Sequence, residues 1–277
     1  MSDKWGWWGH NGSDSYTFDP AKESNDFNKL TVPTNNLMIK LGNDFGPDWI
    51  KHTDIPHNNW FFWDNPEVPH LLYPNSANLR GLKDWIRLVP HDILTKTKDG
   101  SGTERVNRLL SKHAGHAVEW QDIVNPQEVT WSNSKRVLVC PSSPNCYSYY
   151  YNMSKDAWVA EICRRLKEQG YVPIVRGKPT RTLRSRSEHS RLYWDLAHGD
   201  YVATVSQHSV SAMESILAGV PAVVTGPHPC GNLATTFDDF LNNDINLPRR
   251  DQVEDWVDAL LYNTRHKEEM RTGSWRD

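Results

Sequence analysis

No stretch of this sequence approaches the ~18 consecutive apolar residues needed to cross a bilayer, and no basic amphipathic helix backed by Trp or Leu is present. A protein without membrane attachment is expected. The opening residues, MSDKWGWWGHNGSDS, lack an apolar run of signal-peptide length, so the expected location is cytoplasmic, the host cytoplasm if the chain is viral. Cysteine is sparse as well. Cys140, Cys146, Cys163 and Cys230 include no CxxC pair, which argues against a zinc knuckle or a disulfide framework and for a reducing compartment. A strong charge of either sign is missing: Lys+Arg 31 against Asp+Glu 34 leaves a net charge of -3, so no global basic field advertises a polyanionic partner. Internal repeats and low-complexity tracts are absent too. What the chain does have is length, 277 residues with 38% hydrophobic and 23% charged, enough for two compact units or one large α/β unit. It also has thirteen tryptophans, nine of them before residue 135, an imbalance that suggests two halves of different character.

The first half, residues 1–130, is rich in Trp, Asn, Pro and His and carries short apolar bursts, Leu37-Met38-Ile39 and Trp60-Phe61-Phe62-Trp63, that read as buried strands. Leu82, Trp85, Ile86 and Val89 fall at i, i+3, i+4 and i+7, which predicts a helix over residues 79–89. Asp92–Thr95 then reads as a strand and Gly102–His113 as a helix built on Val106, Leu109 and Leu110. The polar stretch from Asn125 to Lys135 is the expected linker. Beyond it, residues 131–277 alternate continuous apolar runs with helical stripes: Arg136–Cys140, then Ala157–Leu166, then Tyr171–Val175. The pattern continues through Ser190–Ala197, Tyr201–Val205, Val210–Ala218 and Pro221–Thr225, with a last helix over Val253–Tyr262. Such alternation predicts a parallel sheet covered on both faces.

The sharpest feature is Thr204–Gly226, TVSQHSVSAMESILAGVPAVVTG, where a strand ends in a Ser/His-rich turn and a helix begins. Ligands of open parallel sheets bind beyond the carboxyl ends of the strands, and a phosphate suits a helix amino terminus there. Ser206, His208, Ser209 and Ser211 would add donors, and Glu214 could accept from a ribose diol. A capping box formed by Ser211 and Glu214 is the structural alternative, although it needs fewer serines than are present. A second cluster follows Tyr171–Val175. Arg176 sits at a strand's carboxyl end with Lys178 close behind, both placed to meet phosphate oxygens, while Arg181, Arg184, Arg186 and Arg191 read as a solvated basic loop. Ser142 and Ser143, in the turn after Arg136–Cys140, either line the same edge or form only a turn.

Residues 134–226 resemble the nucleotide-binding half of GT-B glycosyltransferases, in the branch that reads strand, Ser-rich turn, then E-x-x-x-x-G-x-P and strand. Here that motif is Glu214-Ser-Ile-Leu-Ala-Gly219-Val-Pro221. Residues 85–120 are similar, more loosely, to the end of a GT-B acceptor domain. The resemblance implies an α/β fold of two Rossmann-like domains with parallel sheets facing a cleft, the first one reduced. It implies transfer of a sugar from a nucleotide-sugar, a UDP-sugar first, to a hydroxyl, with no metal and no cofactor beyond the donor substrate. Carried over by position, Glu214 would hold the ribose, and Ser206–Ser211 with Arg176 and Lys178 the diphosphate. The second acidic residue of retaining members is absent, since Gln207 and His208 occupy its region. An inverting mechanism is favoured over a retaining one, and it needs a general base from the first half. Asp64, after the Trp60–Trp63 run, and His10, in the Gly6–Gly12 segment, are the candidates, although a turn before Asn65-Pro66 and a loose terminus would explain them equally.

The acceptor is less constrained. Residues 164–191 hold nine Lys/Arg against two acidic residues, and Trp5, Trp7 and Trp8 offer stacking surfaces, features that suit nucleic acid. The expected acceptor is therefore a 5-hydroxymethylated base in DNA, as in phage-type DNA modification, with a cell-surface glycan as the rival. A nucleotide-sugar epimerase and a non-catalytic nucleotide-binding module remain as alternatives, and no obligate protein partner is expected.

Overall fold

The computed structural model describes residues 5–8, 31–32, 37–40, 60–64, 85–89, 102–121, 125–142, 144, 147, 151–177, 192–207, 209–266 and 269. The expected strand at Asp92–Thr95 lies outside them. The first half supplies β1 (Trp5–Trp8), β2 (Thr31–Val32), β3 (Leu37–Lys40), β4 (Trp60–Asp64) and β5 (Trp85–Val89). A strand from the far end of the chain, β11 (Thr264–His266), completes this sheet in the order β11-β5-β4-β3-β1-β2.

Two expectations are corrected here. Trp85–Val89 is a strand and not part of a helix: β5 pairs antiparallel with β4 on one side, Trp63 opposite Leu88, and with β11 on the other, Arg265 opposite Ile86. Four of its five residues are apolar and fit either the helical or the extended phase, so periodicity could not decide between them. Ladder partners on both edges do. The sheet is accordingly mixed, because β3 runs parallel to β1 and β4 while β1–β2, β4–β5 and β5–β11 are antiparallel.

The second sheet is parallel throughout, as its alternating pattern predicts. Its strands are β6 (Arg136–Val139), β7 (Val172–Val175), β8 (Ala203–Ser206), β9 (Ala222–Val224) and β10 (Thr235–Thr236), in the order β10-β9-β8-β6-β7. From β6 the chain moves to one side for β7 and then to the other for β8. The strand order therefore reverses between β6 and β8, the place where doubly wound sheets open a crevice. Helices α2 (Lys155–Glu168) and α5 (Phe237–Leu241) cover one face, where Trp158, Ile162, Leu166, Phe237 and Phe240 pack on Val137, Val139, Ala203, Val205 and Val223. Ser154 caps α2 by accepting the Ala157 N–H at 3.0 Å.

On the opposite face lie α3 (Leu192–His198), α4 (Ser211–Leu217) and α6 (Arg250–Asn263). Leu192 and Leu196 pack on Leu138 and Cys140. Met213, Ile216, Val257 and Leu261 share a core with Ala222 and Val224, and α1 (Thr103–Ala114) adds Val106, Leu109 and Leu110 to it. The segment expected as a linker is tied to this layer: Gln127 N–H donates to Leu217 O, Thr130 N–H to Gly219 O and Val129 N–H to Pro248 O. Val129 is buried among the same side chains. No helix among the described residues is long and apolar enough to cross a membrane.

Gly219, the glycine of the E-x-x-x-x-G-x-P motif, closes α4 with φ +77°, and a Cβ there would stand 2.8 Å from Glu128 O. Left-handed backbone and a clash with main chain act together, so Gly219→Ala is expected to destabilise the fold by about 2 kcal/mol. Urea denaturation midpoints measure this, and a loss below about 0.5 kcal/mol contradicts it.

Candidate functional site

Opposed residues in a parallel ladder share a face, so the register Leu138 with Thr204 and Val139 with Val205 sets Cys140 and Ser206 on the same side, at the carboxyl ends of the two central strands. That side is the one covered by α3 and α4. Cys140 N–H donates to Val205 O at 2.8 Å and Thr225 N–H to Ser206 O at 3.1 Å, which anchors both strand ends. The Cys140 thiol is pushed up to about 12 by burial, an effect only partly offset by the Arg176 charge and by Ser211; Glu214 and Asp195 add to the rise. These causes locate the neighbours. Arg176 from the end of β7, Asp195 from α3 and Ser211 and Glu214 from α4 all act on the same buried thiol.

Three of the expected donor-binding residues, Arg176, Ser211 and Glu214, are thus brought together with Ser206 at the strand-order reversal. Their condition differs from expectation. Ser206 is 0% exposed and Ser211 8% exposed, so neither hydroxyl lies open on a turn. Strand alternation turns Ser206 inward, and Ser211, the first residue of α4, faces the sheet rather than solvent. Neither hydroxyl has a hydrogen-bond partner, nor does the amide oxygen of Gln207, which is 2% exposed, nor Thr204 Oγ1 one layer deeper. Ser211 approaches the Cys140 thiol closely enough to lower its pKa but without hydrogen-bond alignment. The capping box is not formed either, because Val210 is the N-cap of α4 and caps nothing with its side chain.

Arg176 is held by a residue that sequence reasoning passed over. Its Nε donates to Asp195 Oδ2 at 2.6 Å, and both side chains are partly buried. His228 was missed in the same way. Cys230 N–H can only donate, so His228 Nδ1 accepts it at 3.1 Å, leaving Nε2–H to donate to Ser209 O at 3.0 Å. The half-exposed Ser209 is thereby pinned, and its own hydroxyl takes only a long 3.4 Å contact from Ser211 N–H. No periodicity marks such partners, although the Gly and Pro of Gly226-Pro227-His228-Pro229 are turn-forming residues. Ser142 is buried, and its N–H already donates to the Tyr147 hydroxyl at 2.9 Å, with that ring against Trp158. Its amide is therefore committed to structure.

Asp64 is the last residue of β4, in register with Arg87 of β5. His10, Ser143, Lys178 and His208 lie outside the described residues. Among the described residues, no group of three His, Cys, Asp or Glu side chains is spaced to hold a metal ion.

Because the Cys140 thiol titrates near 9.0 when unfolded and at about 12 when folded, the unfolded chain loses its proton first as pH rises. Stability from this group is intact below pH ~9 and declines above it, by up to about 1.4 kcal/mol per pH unit. Denaturation at pH 8, 9 and 10 should show this fall, and Cys140→Ala should flatten it. An equal slope in both proteins refutes the assignment.

No family model matches the sequence, and no curated protein does. Among solved structures the chain is similar to Thermosulfurimonas dismutans KpsC, a beta Kdo 2,7 transferase. Identity is 10%, with 87% of this chain and 84% of that chain covered. The TM-score of 0.46 lies below the level that establishes a shared fold.

Proposed function

We propose that this chain is a GT-B type nucleotide-sugar glycosyltransferase that binds its donor at the carboxyl edge of the second sheet and passes the sugar to an acceptor hydroxyl. One observation carries the reading. Ser206, Gln207 and Ser211 present three buried side-chain oxygens without partners at the strand-order reversal. An unpartnered buried polar group costs about 1–3 kcal/mol, and native folds keep few of them. Three at the ligand-binding place of a doubly wound sheet point to a bound ligand that satisfies them. The Glu214–Pro221 motif supports the same reading, since it spans helix, left-handed glycine and strand in the order the resemblance implies.

In this proposal the donor is a UDP-sugar and the transfer needs no metal. Arg176, aimed by Asp195, meets the diphosphate side together with Lys178, and Glu214 accepts from the ribose. The first half, residues 1–130, contributes the general base, Asp64 or His10. The acceptor to test first is 5-hydroxymethylcytosine in duplex DNA, supported by the basic residues of 164–191. That support is thinner than the composition implies. Arg164 is matched by Glu161 and Glu168, Arg165 by Asp238 and Arg176 by Asp195. The DNA reading therefore leans on Lys167, Lys178, Arg181, Arg184, Arg186 and Arg191.

The test is incubation of the full chain with radiolabelled UDP-sugars, with and without hydroxymethylated duplex. Label on the DNA establishes both parts of the proposal. Sugar release or transfer to a glycan alone keeps the transferase and removes DNA. An epimerised sugar, or tight binding without turnover, replaces the transferase by an epimerase or a binding module. Absence of any nucleotide-sugar binding overturns it.

A further inference from the structure

We infer that His228 is a positioning residue for the donor, fixing the turn between Ser206 and Ser211 so that one ligand can satisfy both hydroxyls. The inference rests on the donor reading above and adds a residue from the neighbouring loop. The turn has little of its own to hold it. Val210, the N-cap of α4, supplies no side-chain cap, and the helix opens with Ala212 N–H donating to Ser209 O at 3.1 Å. Outside support comes from the loop after β9. Thr225 N–H donates to Ser206 O at one end of the turn, and His228 Nε2–H donates to Ser209 O at 3.0 Å near the other. The buried ring makes this bond in one orientation only, because Nδ1 accepts Cys230 N–H at 3.1 Å and a flipped ring would offer carbon to both partners.

The loop is itself braced. Pro227 and Pro229 flank the histidine, Trp256 Nε1 donates to Pro229 O at 3.0 Å, and Trp158 Nε1 donates to Thr225 Oγ1 at 3.1 Å. A turn clamped twice to such a loop keeps the spacing of Ser206 and Ser211 fixed. Both hydroxyls are buried without partners, so a donor gains most from them when they already stand in place.

Substitution separates the two bonds of the ring. Asparagine places its amide oxygen near the Nδ1 position and accepts Cys230 N–H, but is too short to reach Ser209 O. Glutamine places its amide nitrogen near the Nε2 position and donates to Ser209 O, but leaves the N–H of buried Cys230 without that acceptor. An orphaned buried donor costs more than a carbonyl that keeps Ala212 N–H, so His228→Gln is expected to be the less stable variant. Donor binding is expected to run the other way. The probe is the UDP-sugar that the wild type binds most tightly, measured on the full chain at a temperature where all three proteins are folded. Its dissociation constant is expected to rise tenfold or more in His228→Asn and to stay within threefold in His228→Gln. A residue that only supports the fold would give the opposite order, following thermal stability. Equal losses in the two variants, or a His228→Asn constant within twofold of wild type, overturn the inference. A second measurement needs neither variant: in the wild type, saturating UDP-sugar should slow amide exchange over residues 210–212 at least fivefold, because coupling between turn and donor is reciprocal. Unchanged exchange there overturns the inference as well. If the wild type binds no nucleotide-sugar, the donor reading fails and this inference with it, a result distinct from tight binding that ignores His228.

Discussion

Replacing Arg105 by methionine is expected to destabilise the protein by about 3 kcal/mol, more than loss of an exposed ion pair could. From α1 the guanidinium reaches 2.7 Å to both carboxylate oxygens of Glu269, and its second nitrogen donates to Leu261 O at 2.7 Å and Thr264 O at 2.5 Å. Glu269 is buried and also accepts the His266 N–H at 2.7 Å. One side chain thus holds the end of α6, the start of β11 and a buried carboxylate. Methionine keeps much of the stem's packing and removes the donors, which leaves Glu269 with a desolvated charge. Arg265, itself pulled down to about 10 by burial and then by Arg105, stands nearby and compensates only in part. Urea denaturation gives the loss directly. A cycle with Glu269→Gln should show the double variant less destabilised than the sum of the singles, because removing both partners strands no charge. Additive losses, or a loss under 1 kcal/mol for Arg105→Met, would show that the contact does not hold the carboxyl terminus in place.

That clasp illustrates what sequence reading reaches and what it does not. Most of the second half was legible because β6 to β9 lie in continuous apolar runs and α2 and α6 each carry one stripe, whereas β10, a Thr-Thr pair, and the short α5 gave no such signal. Trp158, Ile162 and Leu166 mark α2, and Val253, Trp256, Val257 and Leu260 mark α6, where the structure buries them. Local pattern and tertiary role agree there. The first half was not, since Trp85–Val89 satisfies both periods and is settled by β4 and by β11, a partner about 180 residues away. No local signal announces a terminal strand that returns to the first sheet. The site was legible in its residue types and its place, but not in the burial of its serines. Whether Ser206 faces out or in depends on the phase of one strand, and a one-residue difference reverses it. Asp195 and His228 act through contacts made by folding, with sequence separations of 19 residues to Arg176 and to Ser209.

The double variant Ser206→Ala/Ser211→Ala is expected to fold more stably than the wild type and to bind nucleotide-sugar at least tenfold more weakly. Both hydroxyls are buried without partners, so each is a desolvation cost in the empty protein that alanine removes, roughly 1 kcal/mol apiece. Bound ligand reverses the sign, because the same hydroxyls then complete hydrogen bonds that alanine cannot make. A residue kept for packing alone does not behave this way, since its truncation lowers stability with or without ligand. The two readouts therefore separate a site from a core. Thermal unfolding of the empty chain should rise by several degrees, while the further rise on adding the wild type's best UDP-sugar should shrink or vanish. If the empty variant unfolds at a lower temperature, Ser206 and Ser211 have partners within the folded chain and the donor site is elsewhere. If the empty variant is stabilised and the ligand shift is intact, the hydroxyls are an unused strain in the sheet edge, and Arg176 and Glu214 must bind without them.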